Sequence, residues 1–300
     1  MKEPERVAQP RTFLMCPPTY YDVVYAINPW MDVTVPVDKA AAFAQWAALK
    51  AAYEAYGHTV YTIAPEPGLP DMVYAANGGL TIAGQVLAPN FAVEPRQAES
   101  AAYAKWFVAA VQAGVLGPGG KYLGQAEALN EGEGDLLLAG KYLLCGAGTR
   151  TAAAAHAEIA RRFSLADKGI KVVSLELVDP LFYHLDTALA VLADSPAAGG
   201  EATVAYLPKA FSPASQNLLR QLFPNAIIAS ENDGLTFGLN VVSDGRHVFL
   251  NEAATDMQQK LKARGFMPVG IQMSELLKGG GSVKCCTLTL RASDSDLALH

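Results

Sequence analysis

The sequence predicts an α/β protein, because segments with helical periodicity alternate with short strand-like runs along the chain. Of its 300 residues, 51% are hydrophobic and 17% are charged, which is enough apolar material for a substantial core. No block of charge and no linker rich in proline, glycine or serine divides the chain. We therefore predict one domain over residues 1–300.

Five amphipathic helices are predicted, and their starts recur at intervals of roughly 45–60 residues. They cover residues 37–56, 96–114, 151–163, 212–223 and 255–265. Runs rich in β-branched residues indicate strands at 11–15, 59–63, 72–74, 171–175, 226–229, 241–242 and 247–250. The pattern predicts five repeated units, each with one helix and two or three strands. Periodicity alone favours an ordinary doubly wound sheet for these elements.

Composition excludes several classes of protein. The net charge is −6 and no basic patch occurs, which argues against binding to nucleic acid. No apolar run is long enough for a membrane span and the N-terminus lacks a secretory pattern, so we expect no membrane partner and a cytoplasmic location. The four cysteines and five histidines form no zinc motif, and the glycine-rich stretches fit no nucleotide-binding fingerprint.

The most informative stretch is the glycine run 279–281, which leads into Cys285 and Cys286. Glycines let backbone approach a ligand closely, so this run would place a thiol where a substrate can meet it. His184-Leu185-Asp186 and the acidic cluster 131–135 add a base and carboxylates, which completes the parts of a covalent nucleophilic catalyst. Taken singly, each motif also fits a structural explanation: buried small thiols, a core histidine and a solvated acidic turn.

Strand geometry narrows these candidates. Adjacent strand residues face opposite ways, so only one of Cys285 and Cys286 would point into a pocket, and the residues alone leave open which one. The spacing of His184 and Asp186 predicts that both side chains lie on one face of a strand.

Seven motifs in one order resemble the guanidine-modifying superfamily, which comprises dimethylarginine dimethylaminohydrolases, arginine deiminases, arginine dihydrolases and amidinotransferases. The motifs are residues 15–18 with 27–31, then 68–77, 131–135, 148–151, 184–186, 239–240 and 279–287. The resemblance covers nearly the whole chain. It implies a five-bladed α/β propeller (pentein) of ββαβ units around a central active site. The stretch Asn28-Pro29-Trp30 is most similar to the arginine dihydrolase branch.

The resemblance implies three catalytic residues. Cys285 would be the nucleophile, because the family places its catalytic cysteine two residues before threonine or serine. His184 would be the general acid and base, a role suited to a side chain that titrates near neutral pH. Glu131 would pair with the histidine or with the guanidinium, and Glu133 competes for that role.

Four polar residues are implied near the guanidinium. Asp71 and Asp186 match family carboxylates that hold the substrate. Asn77 stands where hydrolases and deiminases usually carry an aspartate, and Asn28 could cooperate with it. A neutral amide grips a cation less tightly but can orient a ureido oxygen, which favours an enzyme that hydrolyses arginine past citrulline to ornithine.

The amino-acid end of the substrate has its own implied contacts. Arg150 matches the arginine that binds the α-carboxylate through a bidentate fork. Asn90 stands at the place of a second such arginine, and Arg96 is a possible replacement. Asn240 could contact the α-amino group, or could cap a turn.

The resemblance thus implies a cysteine hydrolase that acts on the guanidino carbon of free arginine or Nω-methylarginine through an S-alkylthiouronium. The expected partner is this small guanidino molecule, with no metal and no organic cofactor. Transfer of the amidino group to another amine is an alternative, because the intermediate is the same. A non-catalytic binding protein is the rival class, since the same fold serves in a ribosome-binding translation factor. A homo-oligomer stays open.

Overall fold

The computed structural model describes residues 6–194 and 202–292. Within these ranges the chain forms five separate three-stranded sheets. The strands are β1 Thr12–Met15, β2 Thr59–Thr62, β3 Leu80–Ile82, β4 Gln85–Ala88, β5 Lys121–Gln125, β6 Leu136–Ala139, β7 Tyr142–Ala147, β8 Lys171–Glu176, β9 Leu189–Ala193, β10 Thr203–Tyr206, β11 Ile227–Ile228, β12 Val242–Ser243, β13 His247–Asn251, β14 Met267–Ile271 and β15 Leu288–Thr289.

Every sheet has the same plan. Its middle strand pairs antiparallel with one neighbour and parallel with the other. A helix connects the two parallel strands, as a parallel crossover requires. The helices are α1 Lys39–Ala55, α2 Glu99–Gln112, α3 Ala153–Arg162, α4 Leu185–Ala188, α5 Pro213–Leu222, α6 Glu231–Leu235 and α7 Thr255–Ala263, of which α4 and α6 are extra short turns. The five ββαβ units are confirmed, and the doubly wound single sheet is wrong.

The first unit is completed by the other end of the chain. Strand β15 pairs antiparallel with β1, with Phe13 opposite Thr289 and Leu14 opposite Leu288. The antiparallel strands β3, β6 and β15 are buried throughout. Strand β15 confirms the strand expected after the cysteine pair. Strand β6 was not predicted, because it is apolar throughout and a strand covered on both faces carries no alternation of polar and apolar residues.

Helix α1 shows how the outer helices are placed. Asp38 caps its N-terminus, where the side chain accepts a 2.9 Å hydrogen bond from the backbone N–H of Ala41. Trp46, Leu49 and Tyr53 follow at helical spacing and are buried in the same hydrophobic cluster as Phe13 of β1. The helix therefore covers one face of the first sheet.

The five predicted long helices are confirmed to within a few residues at their ends. The strand predicted at 72–74 is wrong, because Pro70–Val73 forms a 3-10 helix that is buried along its length. Proline at its first position presets the backbone for a helical turn. Across the described ranges, no helix is long and apolar enough to cross a membrane.

Candidate active site

A tight turn precedes the antiparallel edge strand of every unit, and these five turns carry most of the predicted site residues. They lie at 75–78, 132–134, 185–188, 236–240 and 283–286, before β3, β6, β9, β12 and β15. They bear or border Asn77, Glu131, His184, Asp186, Asn240 and Cys285. The repeated plan therefore brings together side chains that lie far apart in the sequence.

Cys285 lies in a turn and not in a strand, which corrects the strand argument for the cysteine pair. The backbone N–H of Cys286 donates to the Ser282 carbonyl at 3.1 Å, and pairing with β1 begins after the turn. The Cys285 thiol donates to Asp186 Oδ2 at 3.4 Å and accepts from Asn240 Nδ2 at 3.1 Å. Asn240 Oδ1 also accepts from the Cys285 backbone N–H at 3.1 Å, so this amide holds the residue at two points.

The state of this thiol follows from its surroundings. Burial raises the pKa of Cys285 well above its ordinary value, and the neighbouring Asp186 carboxylate raises it further. Burial also raises the pKa of Asp186, to about 6. Without a cation beside it, the thiol is therefore protonated. A cation at the Asp186 carboxylate would favour the thiolate.

His184 and Glu131 form the second half of the site. His184 Nε2 lies 2.8 Å from Glu131 Oε2, and the same oxygen accepts from Arg150 Nη1 at 3.0 Å. Burial alone would raise the pKa of Glu131, but the His184 hydrogen bond and the nearby positive charges lower it to about 2. His184 precedes helix α4 and Asp186 lies within it, so the predicted common strand face is wrong. One helical turn brings the two residues to the site instead.

Glu133 is directed elsewhere. Its carboxylate accepts from Lys284 Nζ at 2.6 Å, from the Thr289 backbone N–H at 2.9 Å and from Arg291. The structure therefore places Glu131, and not Glu133, on His184. Local sequence could not separate the two glutamates, because each stands beside the same glycine.

Asn77 belongs to a buried network with Arg96 and Glu99. Its Nδ2 donates to the Glu131 carbonyl at 3.1 Å, and its Oδ1 accepts from Arg96 Nη1 at 2.8 Å. Glu99 accepts two hydrogen bonds of 2.9 Å from the Arg96 guanidinium. Sequence reasoning missed Glu99 and left Arg96 open. The spacing of Arg96 and Glu99, two opposite charges at i and i+3 near the start of a helix, could have predicted this ion pair.

The remaining predicted residues surround this centre. Arg150 also donates to the Ile27 carbonyl at 2.7 Å and lies 4.9 Å from the Tyr183 ring. Asn90 points away, because its amide donates to the Glu127 carbonyl. Asn28 donates to the Gly279 carbonyl at 3.1 Å.

The glycine run is required by close packing at the centre. A Cβ on Gly279 would lie 2.1 Å from the Tyr74 hydroxyl. Gly280 has a φ of 83°, and a Cβ there would lie 2.6 Å from Asn28 Oδ1. Larger residues would push the chain that leads to Cys285 out of place.

Two carboxylate oxygens of the site have unused hydrogen-bonding capacity. Asp71 accepts from the Tyr25 hydroxyl at 3.0 Å through Oδ2, but Oδ1 has no hydrogen-bond partner among the described residues. Asp186 Oδ1 likewise has no hydrogen-bond partner among the described residues. An unpaired buried carboxylate oxygen is costly, so its presence indicates a group that a ligand satisfies.

The charge balance of the site is negative. Five buried carboxylates surround the site, namely Asp71, Glu99, Glu131, Asp135 and Asp186. Two buried arginines, Arg96 and Arg150, lie among them. Such a surplus suits a cationic ligand.

A separate cavity of about 50 Å³ lies beside strands β1, β6, β9, β12 and β15. Arg11, Lys284 and Arg291 contribute charged groups to its lining, together with Asp194. The volume is enough for a few water molecules and too small for an amino acid. The described lining contains none of the predicted site residues, so the cavity is distinct from the site around Cys285.

Comparison with known proteins agrees with this geometry. No family model matches the chain. It is 50% identical, over 285 residues, to the N(G),N(G)-dimethylarginine dimethylaminohydrolase of Mycobacterium tuberculosis, covering 95% of this chain and 87% of that protein. The chain belongs to the guanidine-modifying superfamily, as the ordered motifs predicted.

The relatives of this chain include both dimethylarginine dimethylaminohydrolases and arginine dihydrolases. The bifunctional arginine dihydrolase/ornithine cyclodeaminase AgrE of Nostoc sp. is 34% identical over 92% of this chain, which spans 37% of that longer protein. The crystal structure of the N-terminal domain of ArgZ, a cyanobacterial arginine dihydrolase bound to product, has a TM-score of 0.83 and 32% identity, covering 94% of this chain and 98% of that one. A dimethylarginine dimethylaminohydrolase adduct with 19% identity and a TM-score of 0.72 supports the fold alone.

Proposed function

We propose that this protein is a cysteine-dependent hydrolase that attacks the guanidino carbon of free arginine or Nω-methylarginine. The observation that carries the proposal is the contact between the Cys285 thiol and Asp186, whose other carboxylate oxygen has no hydrogen-bond partner among the described residues. A guanidinium bound there meets the nucleophile directly. His184, held by Glu131, supplies the acid and base. The single domain and the cytoplasmic location expected from the sequence belong to the same proposal.

The first half of the reaction forms a covalent intermediate. A guanidinium held by Asp71 and Asp186 places positive charge beside Cys285 Sγ and lowers the pKa of the thiol. The thiol gives its proton to solvent, and Sγ bonds to the guanidino carbon. The bond from that carbon to the leaving nitrogen breaks as His184 donates a proton to the nitrogen. An S-alkylthiouronium then joins Cys285 to the remainder of the substrate.

The second half regenerates the enzyme. His184, now neutral, removes a proton from a water molecule, and the water oxygen attacks the same carbon. The C–S bond breaks, a ureido product leaves and Cys285 returns to its thiol form. For arginine the products are citrulline and ammonia. A second round on citrulline gives ornithine, ammonia and carbon dioxide.

The other residues divide into two roles. Asn240 orients Cys285, since it bonds both its backbone and its sulfur. The Arg150 guanidinium is engaged by Glu131 and Ile27, which supports a role in holding Glu131 beside its predicted role at the α-carboxylate. Arg96, beside Asn77, is the second candidate for that carboxylate. Asn28 borders the glycine run.

The test is product analysis by mass spectrometry with arginine, monomethylarginine and asymmetric dimethylarginine. Release of citrulline with the matching amine, or of ornithine with ammonia, supports the proposal and identifies the branch. An added arm with a second amine detects amidino transfer, the alternative outcome. Absence of turnover on all three compounds would overturn the hydrolase and favour a binding protein.

Asn77 provides the test of product choice. Aspartate there would strengthen the grip on a guanidinium by about 1.5–3 kcal/mol. It would also remove one of the two donors to the Glu131 carbonyl and leave the backbone N–H of Gly134 at 3.2 Å. If the natural product is ornithine, Asn77→Asp should shift the product ratio toward citrulline. Equal ratios in both proteins, with arginine and then with citrulline as substrate, would remove Asn77 from the second hydrolysis.

A further inference from the structure

The turn that contains Glu131 and Glu133 faces both halves of the site. Glu131 binds His184, which comes from the start of the fourth unit. Glu133, two residues later, binds Lys284, which directly precedes the nucleophile. Gly132 between them has a φ of 55°, and a Cβ there would lie 2.5 Å from the Gly79 carbonyl oxygen. The turn is therefore closely packed and presents its two carboxylates to different partners.

Glu133 makes a network of contacts around the cysteine turn. Lys284 Nζ donates to Glu133 Oε2 at 2.6 Å and to the Thr287 carbonyl at 2.9 Å, so it bridges both sides of Cys285. Glu133 Oε2 also accepts from the Thr289 backbone N–H at 2.9 Å, and Oε1 binds Arg291. One buried carboxylate thereby holds the residues before and after the nucleophile.

We propose that Glu133 and Lys284 are positioning residues that fix Cys285 relative to His184, an inference that rests on the proposed function. The turn 131–135 is then a common support from which the nucleophile and the acid/base are both held. Neither Glu133 nor Lys284 has to touch the substrate for this role.

The neighbouring cavity shows why such a support is needed. Lys284 and Arg291 line the cavity of about 50 Å³ beside β15. A glycine run precedes the cysteine turn, and glycine restricts the backbone least of all residues. Without the Glu133 contacts, the cysteine turn has both the freedom and the space to shift. A displacement of about 1 Å at a reacting atom can lower a rate about 100-fold.

The substrate contacts lie on other elements. Asp71 is in the 3-10 helix before β3, and Asp186 is in α4. Loss of the Glu133 contacts should therefore lower kcat more than it changes KM. Damage to the whole site would change both.

The experiment compares Glu133→Gln, Lys284→Met and the double variant with the wild-type enzyme. We expect kcat to fall about 100-fold in Glu133→Gln with KM within about twofold, since misplacement affects the attack. Lys284→Met leaves Glu133 paired with Arg291, so folding is retained, and kcat should fall about tenfold. The double variant should be no slower than Glu133→Gln, because the two residues act as one unit.

The matched control is Asp233→Asn, which removes a carboxylate that is equally buried and paired with Lys260. It should lower stability and leave kcat within about twofold of the wild-type value, because the Asp233 carboxylate bonds Ser230 and Lys260 and, among the described residues, makes no hydrogen bond to the cysteine turn or to Asn240. Equal loss of kcat in Asp233→Asn and Glu133→Gln, or additive losses in the double variant, would overturn the positioning role.

A second measurement does not depend on turnover. Alkylation of Cys285 by iodoacetamide is followed by intact mass, with Cys285→Ser to subtract the other thiols. Glu133→Gln should alkylate at least about threefold faster than wild type and Asp233→Asn at the wild-type rate, because only the former releases the turn. If the wild type hydrolyses no guanidino compound, the proposed function fails. An unchanged alkylation rate in Glu133→Gln would instead reject the positioning role.

Discussion

Cys285 and Cys286 are neighbours in one turn, are both buried in one hydrophobic cluster, and yet have different chemical surroundings. Cys285 Sγ contacts the Asn240 amide and the Asp186 carboxylate. Among the described residues, no hydrogen bond reaches Cys286 Sγ, and burial raises its pKa. The comparison teaches that burial does not distinguish a nucleophile from a structural thiol. The polar contacts of the sulfur do, because they allow a bound cation to control its ionisation.

The largest expected effect tests this comparison directly. Cys285→Ser should lower kcat by at least about 10⁴-fold, the loss typical of a removed covalent nucleophile. Cys286→Ser should keep most of the activity and serves as the matched control, because it makes the same change one residue away. Equal losses in both variants, or a loss in Cys286→Ser alone, would show that the other sulfur is the nucleophile.

His184 is the proposed acid and base of the site and is the subject of the second test. His184→Ala should lower turnover by about 10²–10⁴-fold, with a substrate adduct accumulating on Cys285 in intact-mass spectra. The control is His156→Ala, since His156 is also buried but bonds Ser174 and the Gly146 carbonyl. Turnover by His184→Ala at the wild-type rate would return His184 to a structural role.

The Glu131 carboxylate, which contacts His184, should also contribute to the stability of the fold. The pKa of Glu131 is lowered from 4.5 to about 2 in the folded protein. A depressed carboxyl pKa stabilises the fold above the unfolded pKa, and this contribution is lost as pH falls from about 4.5 toward about 2. It amounts to about 3 kcal/mol at neutral pH.

Urea unfolding of the wild type and of Glu131→Gln between pH 3 and 7 measures this contribution of Glu131 to the free energy of unfolding. The variant should be less stable at pH 7, and the difference in unfolding free energy should shrink as the solution is acidified below about pH 4.5. The other carboxyl groups are shared by both proteins, so the difference isolates Glu131. A difference that stayed constant over this range would contradict the lowered pKa.

The smallest effect concerns the Asp186 carboxylate beside Cys285. Its pKa is raised by burial to about 6, and its charged form is the one that binds a guanidinium. Below that pH, kcat/KM should therefore fall about tenfold per pH unit, since kcat/KM reports the free enzyme. Cys286→Ser should keep this acid limb. Asp186→Asn should have a lower kcat/KM at every pH and should lack the fall at acid pH. If the fall persisted in Asp186→Asn, the titrating group would be another residue.

Local sequence was sufficient for the outer parts of the fold. The helices α1, α2, α3, α5 and α7 were predicted because each buries one face at helical spacing. The strands β6 and β9 were missed, because both consist of apolar residues throughout and lack the alternation that marks a half-buried strand. The residue types of the site were visible as ordered motifs, whereas the turns that carry them were taken for strands at Cys285 and His184.

The α/β class, the five helical units and the membership in a guanidine-modifying family could be predicted from the amino-acid sequence, because they depend on local periodicity and on motifs read in order. Three features depend on the packing of the folded chain: β15 completes the first sheet, Glu131 and not Glu133 contacts His184, and Asn240 holds Cys285. Glu131 and His184 are separated by 53 residues, and Asn240 and Cys285 by 45. Such pairs arise from contacts between different units of the fold, which no local pattern of residues encodes.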